Sequence, residues 1–448
     1  MVMKLKRIFA GLISLCVAFS ITACTNSSPA ATTLSESTAN QSTAKEADGN
    51  AAIKISWWGG DARHEATRKA IDKFMEKYPN IKVTTEYGAW TGWEDAMSTK
   101  FYAGTAPDVN QINWNWITSF NADGKTFLDI NTVSDKIDLT QFDKAVLDSC
   151  SVDGRLQAVP VSITGRIFYW NKSTFDKAGV STPKSLADLL AAGKKFKEKL
   201  GDDYYPIALG EYDRMILMVY YLESVYGKNW VENNKINYTK EEIMKGLEFI
   251  QSLEDNHVTP SIKGITGDGA ESLDKNPKWM EGKYAGIFEW DSSASKFSKA
   301  LSGDQKFVVG DFMPDMGKYQ GGFTKVSLAF AISKNTKYPA ECAKLINFLL
   351  NEEDGVKIMG SERGIPLSKA GLKICADNKL FDPNVAEANG KILKWAKYSF
   401  DVKFEDAKLK SNNGVYYDVM AGLSYDNYNV SKAADLLIEG INKVLAAK

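Results

Sequence analysis

Residues 56–66 read Ser-Trp-Trp-Gly-Gly-Asp-Ala-Arg-His-Glu-Ala. Gly59 and Gly60, at the start of a helix, offer backbone N–H groups to an anion such as a phosphate. Trp57 and Trp58 instead offer flat apolar faces. Arg63 and His64 add a fixed cation and a ring that titrates near neutrality. The same mixture recurs along the chain. Trp90 and Trp93 flank Gly92 on a loop, where an exposed aromatic often has a binding task. "INWNW" carries Asn113, Trp114, Asn115 and Trp116. "TGRIFYWN" carries Arg166, "GEYDRM" Glu211 and Asp213, "FEWDSS" Glu289, Trp290 and Asp291, and "FTKVSL" Lys325. Aromatic faces set among amides, carboxylates and guanidinium groups suit non-covalent binding of a ligand with an apolar face and a hydrogen-bonding rim. In an extended chain alternate residues point to opposite sides. If the strand runs on through "INWNW", either the asparagines or the tryptophans face the ligand, and Trp116 is then a ligand residue or a core residue. Of the pair Trp57 and Trp58, the second abuts the glycines and is the ligand-side candidate.

Chemistry that breaks bonds is poorly represented. The chain has two histidines, His64 and His257, too few for a histidine metal cluster. It has no G-x-S-x-G, no H-E-x-x-H and no complete P-loop. Cleavage of a glycosidic bond needs two carboxylates flanking it, and no pattern singles out such a pair. Past residue 24 the cysteines are Cys150, Cys342 and Cys375. Their spacing suits no metal, and three is odd. Cys342 lies in an apolar helical stretch and reads as core, while a bond between Cys150 and Cys375 stays open. No cofactor is expected. A formal net charge of −1 argues against nucleic acid as a partner.

The elements that must hold these residues begin after an unusual leader. Lys4, Lys6 and Arg7 precede an uncharged apolar run, residues 8–21. That run is shorter than the roughly 20 residues a membrane span needs and suits the core of a secretory signal. "ITAC", ending at Cys24, resembles the lipobox of bacterial lipoproteins, which implies cleavage before Cys24 and acylation of its thiol. Two acyl chains anchor a protein stably. Residues 25–50 are rich in Ser, Thr, Ala and Asn, too poor in large apolar groups to fold, and read as a tether. From residue 51 strand and helix patterns alternate: a strand to Trp58, a helix over 65–77, a strand at 81–87, a helix from Trp93 to Gly104, and a strand over 108–114. This order predicts a parallel sheet with crossover helices. Ligands of such sheets bind beyond the carboxyl ends of the strands, where "SWWGG" and "INWNW" lie. Downstream, residues 338–360 read as one long helix, and the last sixty residues as mostly helical.

Taken with the lipobox, the stretches "ISWWGG", "KYPNIKV", "KFYAGTAPDV", "GRIFYWNKSTFDKAGV", "GKYAGIFEW", "AISKNTKYPAECAKLINFLLNEEDGVKIMG" and "RGIPLS" resemble the extracellular sugar-binding proteins of ABC importers, the broad group that includes maltose-binding protein. Within that group they most resemble binders of oligogalacturonides and related pectic oligosaccharides. The resemblance covers the chain after the tether. It implies an α/β, two-lobed periplasmic-binding-protein fold of type II, with the ligand cleft between lobes joined by three crossings near residues 165–170, 324–328 and 364–368. The expected division is a signal peptide (1–23), the lipidated cysteine and tether (24–50), one lobe from 51–167 plus 327–365, and another from 168–326 plus 366–448. The implied partners are an oligosaccharide, the permease subunits of an importer, and a membrane reached through Cys24. The chain is expected to work as a monomer, outside the cell membrane or on its periplasmic side.

A sugar cleft sharpens the roles. A pyranose has an apolar C–H face that stacks on aromatic rings and a rim of hydroxyls that wants fixed donors and acceptors. Trp290, ending a strand, is the leading stacking residue. A uronate adds a carboxylate, which calls for cations in a dry cleft. Arg166 and Lys325, at the first two crossings, are the expected contacts, with Arg63 and His64 behind them. Glu211, Asp213, Glu289 and Asp291 would accept from hydroxyls and, unpaired, would repel a polyuronate. A neutral oligosaccharide therefore remains an alternative ligand. A surface glycoside hydrolase and a non-closing adhesin are the rival classes.

Overall fold

The computed structural model describes residues 50–121, 124–270 and 272–446. The signal, Cys24 and the tether lie outside the described residues. Strand β1 (Ala51–Trp58) pairs in parallel with β2 (Ile81–Gly88) and β3 (Val109–Asn113). Between them run helix α1 (Asp61–Lys77) and helix α2 (Trp93–Ala103). Helix α1 buries the stripe Thr67, Ala70, Ile71 and Phe74 and stops before Pro79, which cannot continue it. It starts at Asp61, one turn earlier than the apolar stripe alone suggests, because Gly60 and Asp61 suit the cap and the first turn.

Strand β4 (Val159–Thr164) is followed after one residue by β5 (Arg166–Asn171). Strand β5 lies at the centre of a separate antiparallel sheet, between β6 (Gly286–Trp290) and β7 (Phe307–Val309). Strand β8 (Phe323–Ile332) returns to the first sheet, antiparallel to β3 on one side and β4 on the other. Two hydrophobic cores result. One draws on residues 51–161 and 326–359, the other on 167–323 and 385–445. This is the two-lobed fold with its crossings. Gly165 makes the first, Lys325 lies in the second between Phe323 of one core and Val326 of the other, and the third follows Met359.

The crossings are stitched together. A Cβ on Gly165 would sit 2.6 Å from Ile392 and 3.0 Å from the Phe323 carbonyl, so only glycine fits there. The Tyr220 hydroxyl donates to the Phe323 carbonyl at 3.1 Å and accepts from the Arg166 amide at 3.2 Å. The buried Glu223 carboxyl accepts from the Gly322 amide at 2.7 Å, and burial pushes it up to about 8.

Three expectations need revision. Strand β3 ends at Asn113; Asn115 is already helical and Trp116 opens a short helix, so the alternation does not extend through "INWNW". The long helix is two, Pro339–Asn351 and Glu353–Met359, separated by an extended Glu352. Cys150, Cys342 and Cys375 are all buried and free, so the bond left open between the first and third is not formed.

Candidate functional site

The carboxyl ends of β1 and β3 carry an aromatic wall. The Trp58 ring lies 5.0 Å from Trp90 and 5.5 Å from Trp116. Trp116 is fully buried and edge-on to Phe101 and Phe120, with its Nε1 donating to Glu94 at 2.8 Å. It supports the wall from behind, while Trp90, 41 % exposed, is its open face. Trp93 is buried at the start of α2. Trp57 points the other way, as the alternation requires. It stacks on Tyr87 at 4.8 Å and donates Nε1 to His64 Nδ1 at 3.0 Å. His64 is thus occupied on the far side of β1 from Trp58, and burial lowers its pKa.

From this wall the polar contacts run across to the other lobe. Glu94 meets Lys410 at 3.6 Å, and Lys410 lies 5.2 Å from the Trp90 ring. Lys410 also lies 3.9 Å from Glu405, which is ion-paired with Lys325. Asn113 donates to the Glu405 carboxylate at 3.2 Å and accepts from Lys325 at 3.3 Å. Asn115 donates to the Glu405 carbonyl at 2.6 Å. The two asparagines expected to meet a ligand therefore meet Glu405. Lys325 and Arg166 both face the Trp290 ring, at 4.7 and 4.9 Å from its centre. Cation–π contacts of this kind stabilise by about 0.5–2 kcal/mol, and they occupy part of the surface on which a sugar would stack. Arg166 is ion-paired with Asp213 and lies 3.9 Å from Glu289.

Charge in this cluster is nearly self-cancelling. Burial pushes the Glu405 carboxyl up, but Lys325 and Lys410 outweigh it and hold it at about 2. Burial pulls the Lys325 ammonium down to about 8 against the pull of Glu405. For Arg166 burial is overcome by Asp213 and Glu289, which raise its pKa. Glu289 is raised by burial, and Glu211, opening the helix Glu211–Tyr226, by burial and by Asp213. Asp291 leaves the cleft altogether. It is fully buried, accepts from Thr164 and, at 2.6 Å, from Asn389, and returns its own amide to the Gly165 carbonyl at 3.1 Å. Burial pushes it up to about 6. It braces the first crossing.

The turn after β1 is built differently. Gly59 leaves room for the Arg63 side chain, whose Cδ would lie 2.5 Å from a Cβ there. Arg63 donates to the carbonyls of Trp58 at 3.2 Å and Glu362 at 2.8 Å. Gly60 faces Lys296 of the other lobe, 3.6 Å from where its Cβ would be. Sequence reasoning missed Glu405, Lys410, Glu94 and Tyr212, whose hydroxyl donates to Glu405 at 3.1 Å. It also missed Arg363 beside Arg63. Arg363 opens the quoted stretch "RGIPLS", and that was its one signal.

Comparison with known proteins agrees with this architecture. The profile of the family described as bacterial extracellular solute-binding protein matches residues 60–356. A periplasmic oligogalacturonide binding protein from Yersinia enterocolitica, solved with saturated digalacturonic acid, is 36% identical, with 88% of this chain and 98% of that one covered at a TM-score of 0.84. A periplasmic solute binding protein from Pectobacterium atrosepticum is 35% identical over 88% and 98% of the two chains, with a TM-score of 0.82. An arabinooligosaccharide-binding protein from Halalkalibacterium halodurans is 23% identical over 209 residues, 45% of this chain and 46% of its own.

Proposed function

Because the chain belongs to the family of bacterial extracellular solute-binding proteins, we propose that it captures a pectic, uronate-bearing oligosaccharide and presents it to the permease of an ABC importer. Binding of an oligosaccharide outside the cytoplasmic membrane is its function. The uronate is the finer part of the reading. The observation that carries it is the similarity to the digalacturonate-bound Yersinia protein across both lobes, supported by the Trp58–Trp90 wall and, on the turn that follows Trp58, Arg63, whose guanidinium hydrogen-bonds only to carbonyl oxygens. The aromatic wall takes C–H faces, and the charged rim takes hydroxyls and carboxylates. Lipidation at Cys24 would hold the protein near its permease, and one copy per ligand suffices for delivery. No reaction is assigned to the cleft. Asp213, Glu289 and Glu405 are engaged with the cations Arg166, Lys325 and Lys410.

A thermal-shift screen against di- to tetrasaccharides tests this. Digalacturonate at a hundredfold excess over its Kd should stabilise by about 2.7 kcal/mol by linkage, seen as a rise in melting temperature. Equal shifts with neutral galacto-oligosaccharides would remove the uronate. Sugar cleavage in proportion to protein added would remove the binding-only reading.

A further inference from the structure

Arg363 is 3 % exposed and belongs to no ion pair among the described residues. Its Nε donates to Gln111 at 2.8 Å and its Nη1 to Thr67 at 2.9 Å, while its Nη2 is buried without a hydrogen-bond partner. Gln111 in turn donates to the Trp58 carbonyl at 3.1 Å, the same oxygen that Arg63 reaches. Thr67 donates to the Arg63 carbonyl at 2.7 Å. These links place Arg363 directly behind Arg63, against the first turns of the 17-residue helix α1. Arg63 hydrogen-bonds only to carbonyl oxygens; the acids of this neighbourhood are Asp61, in the first turn of α1, and Glu362, which lies 3.7 Å from Lys299.

Two neighbouring guanidinium groups at the positive end of a helix are mutually repulsive. Each is costly to hold there without an anion. Burial pulls Arg63 down to about 10, and burial and then Arg63 pull Arg363 well below its ordinary value. Every other buried cation of the seam, Arg166, Lys325 and Lys410, has a carboxylate of the protein beside it. At the turn after β1, opposite Lys296 of the other lobe, no carboxylate hydrogen-bonds to either guanidinium among the described residues, although Asp61 lies in the turn and Glu362 follows nearby.

We infer that the turn Gly59–Arg63, backed by Arg363, is the subsite for a carboxylate of the sugar ligand. Arg63, partly exposed, is the contact group. Arg363 is a positioning residue: it fixes Gln111 and Thr67 and adds a charge that Glu362 offsets only in part and that no carboxylate hydrogen-bonds. Trp58, one residue before the turn, joins it to the aromatic wall. The inference rests on the uronate reading and assigns the recognition of charge to residues other than Arg166 and Lys325.

The test is calorimetric titration of the full chain with digalacturonate and with galactobiose, its neutral counterpart. Arg63→Gln should weaken digalacturonate by about ten- to a hundredfold, the range for a charge-assisted hydrogen bond, and galactobiose much less. Its digalacturonate binding should also respond less to salt. Arg166→Gln should weaken both sugars in similar proportion. Arg63→Lys, which keeps the charge in a residue of similar length, should recover part of the preference and serves if Arg63→Gln does not fold. The subsite is overturned if Arg63→Gln keeps the wild-type preference, or if it costs both sugars equally. Wild-type binding of galactobiose as tight as that of digalacturonate overturns the uronate reading itself. Binding of neither overturns both.

Discussion

The two cation clusters of the seam follow opposite plans. Around Lys325 and Arg166, each positive group is matched by Glu405, Asp213 or Glu289, and the amides of Asn113 and Asn115 are spent on Glu405 as well. Around Arg63 and Arg363 the donors reach neutral oxygens and the Met359 sulfur, and no carboxylate. The first cluster fastens the lobes to each other and is expected to govern stability. The second is charge held in reserve, and is expected to govern which sugar is bound. A cation near a cleft is therefore weak evidence for an anionic ligand until its existing partners are known.

The sharpest way to break this contrast is to remove Glu405. Glu405→Ala leaves Lys325 buried and unpaired, which should destabilise the fold by about 3–5 kcal/mol, measured by denaturant unfolding. A loss confined to sugar binding would place Glu405 in the wrong cluster. Next comes the aromatic wall. Trp116→Ala should cost about 3–5 kcal/mol of stability as a buried ring. Trp90→Ala should leave the melting temperature nearly as it is and weaken an oligosaccharide by about tenfold, roughly the 1.4 kcal/mol of a lost stacking face. The reverse pattern would mean that the wall faces inward.

The smallest effect is in the pH dependence, where two buried carboxyls pull in opposite directions. Glu405 is held at about 2, below the 4.5 of a free glutamate. Its contribution is present above about 4.5 and lost as pH falls toward 2. Asp291 is pushed to about 6 from 3.8. In the folded protein it keeps a proton that the unfolded chain has lost, so its contribution is present below 3.8 and lost as pH rises through 6. Denaturant titrations across pH should show Asp291→Asn removing a loss of stability between pH 4 and 6, and Glu405→Gln removing one at lower pH. Identical profiles for the two variants would break the distinction.

The strands of the sheet ends were legible because alternation and glycine stops are local. Trp58 and Trp290 stand out by their place at strand ends, and Arg166 by its place at the first crossing, and all three lie along the seam between the two cores. "INWNW" misled because its alternation is cut short: the chain turns helical at Asn115, whose side chain caps nothing in its own helix and reaches Glu405, 290 residues away. Glu405 and Lys410 lie in "FEDAKLK", a stretch with no aromatic pair and no periodicity to mark it. Its role exists only because the chain returns to the seam near its end. The break at Glu352 was hidden because the helices on either side carry one continuous apolar pattern. Arg363 was visible as a residue but not as a charge without a partner, a property that belongs to the packed structure.

The shared hydroxyl of Tyr220 has a mechanical consequence. One oxygen grips the backbone of two crossings at once, at Arg166 and at Phe323. Neither strand can then slide along the other without breaking a bond to that oxygen. Relative movement of the lobes is steered away from shear and toward rotation about an axis passing near this point.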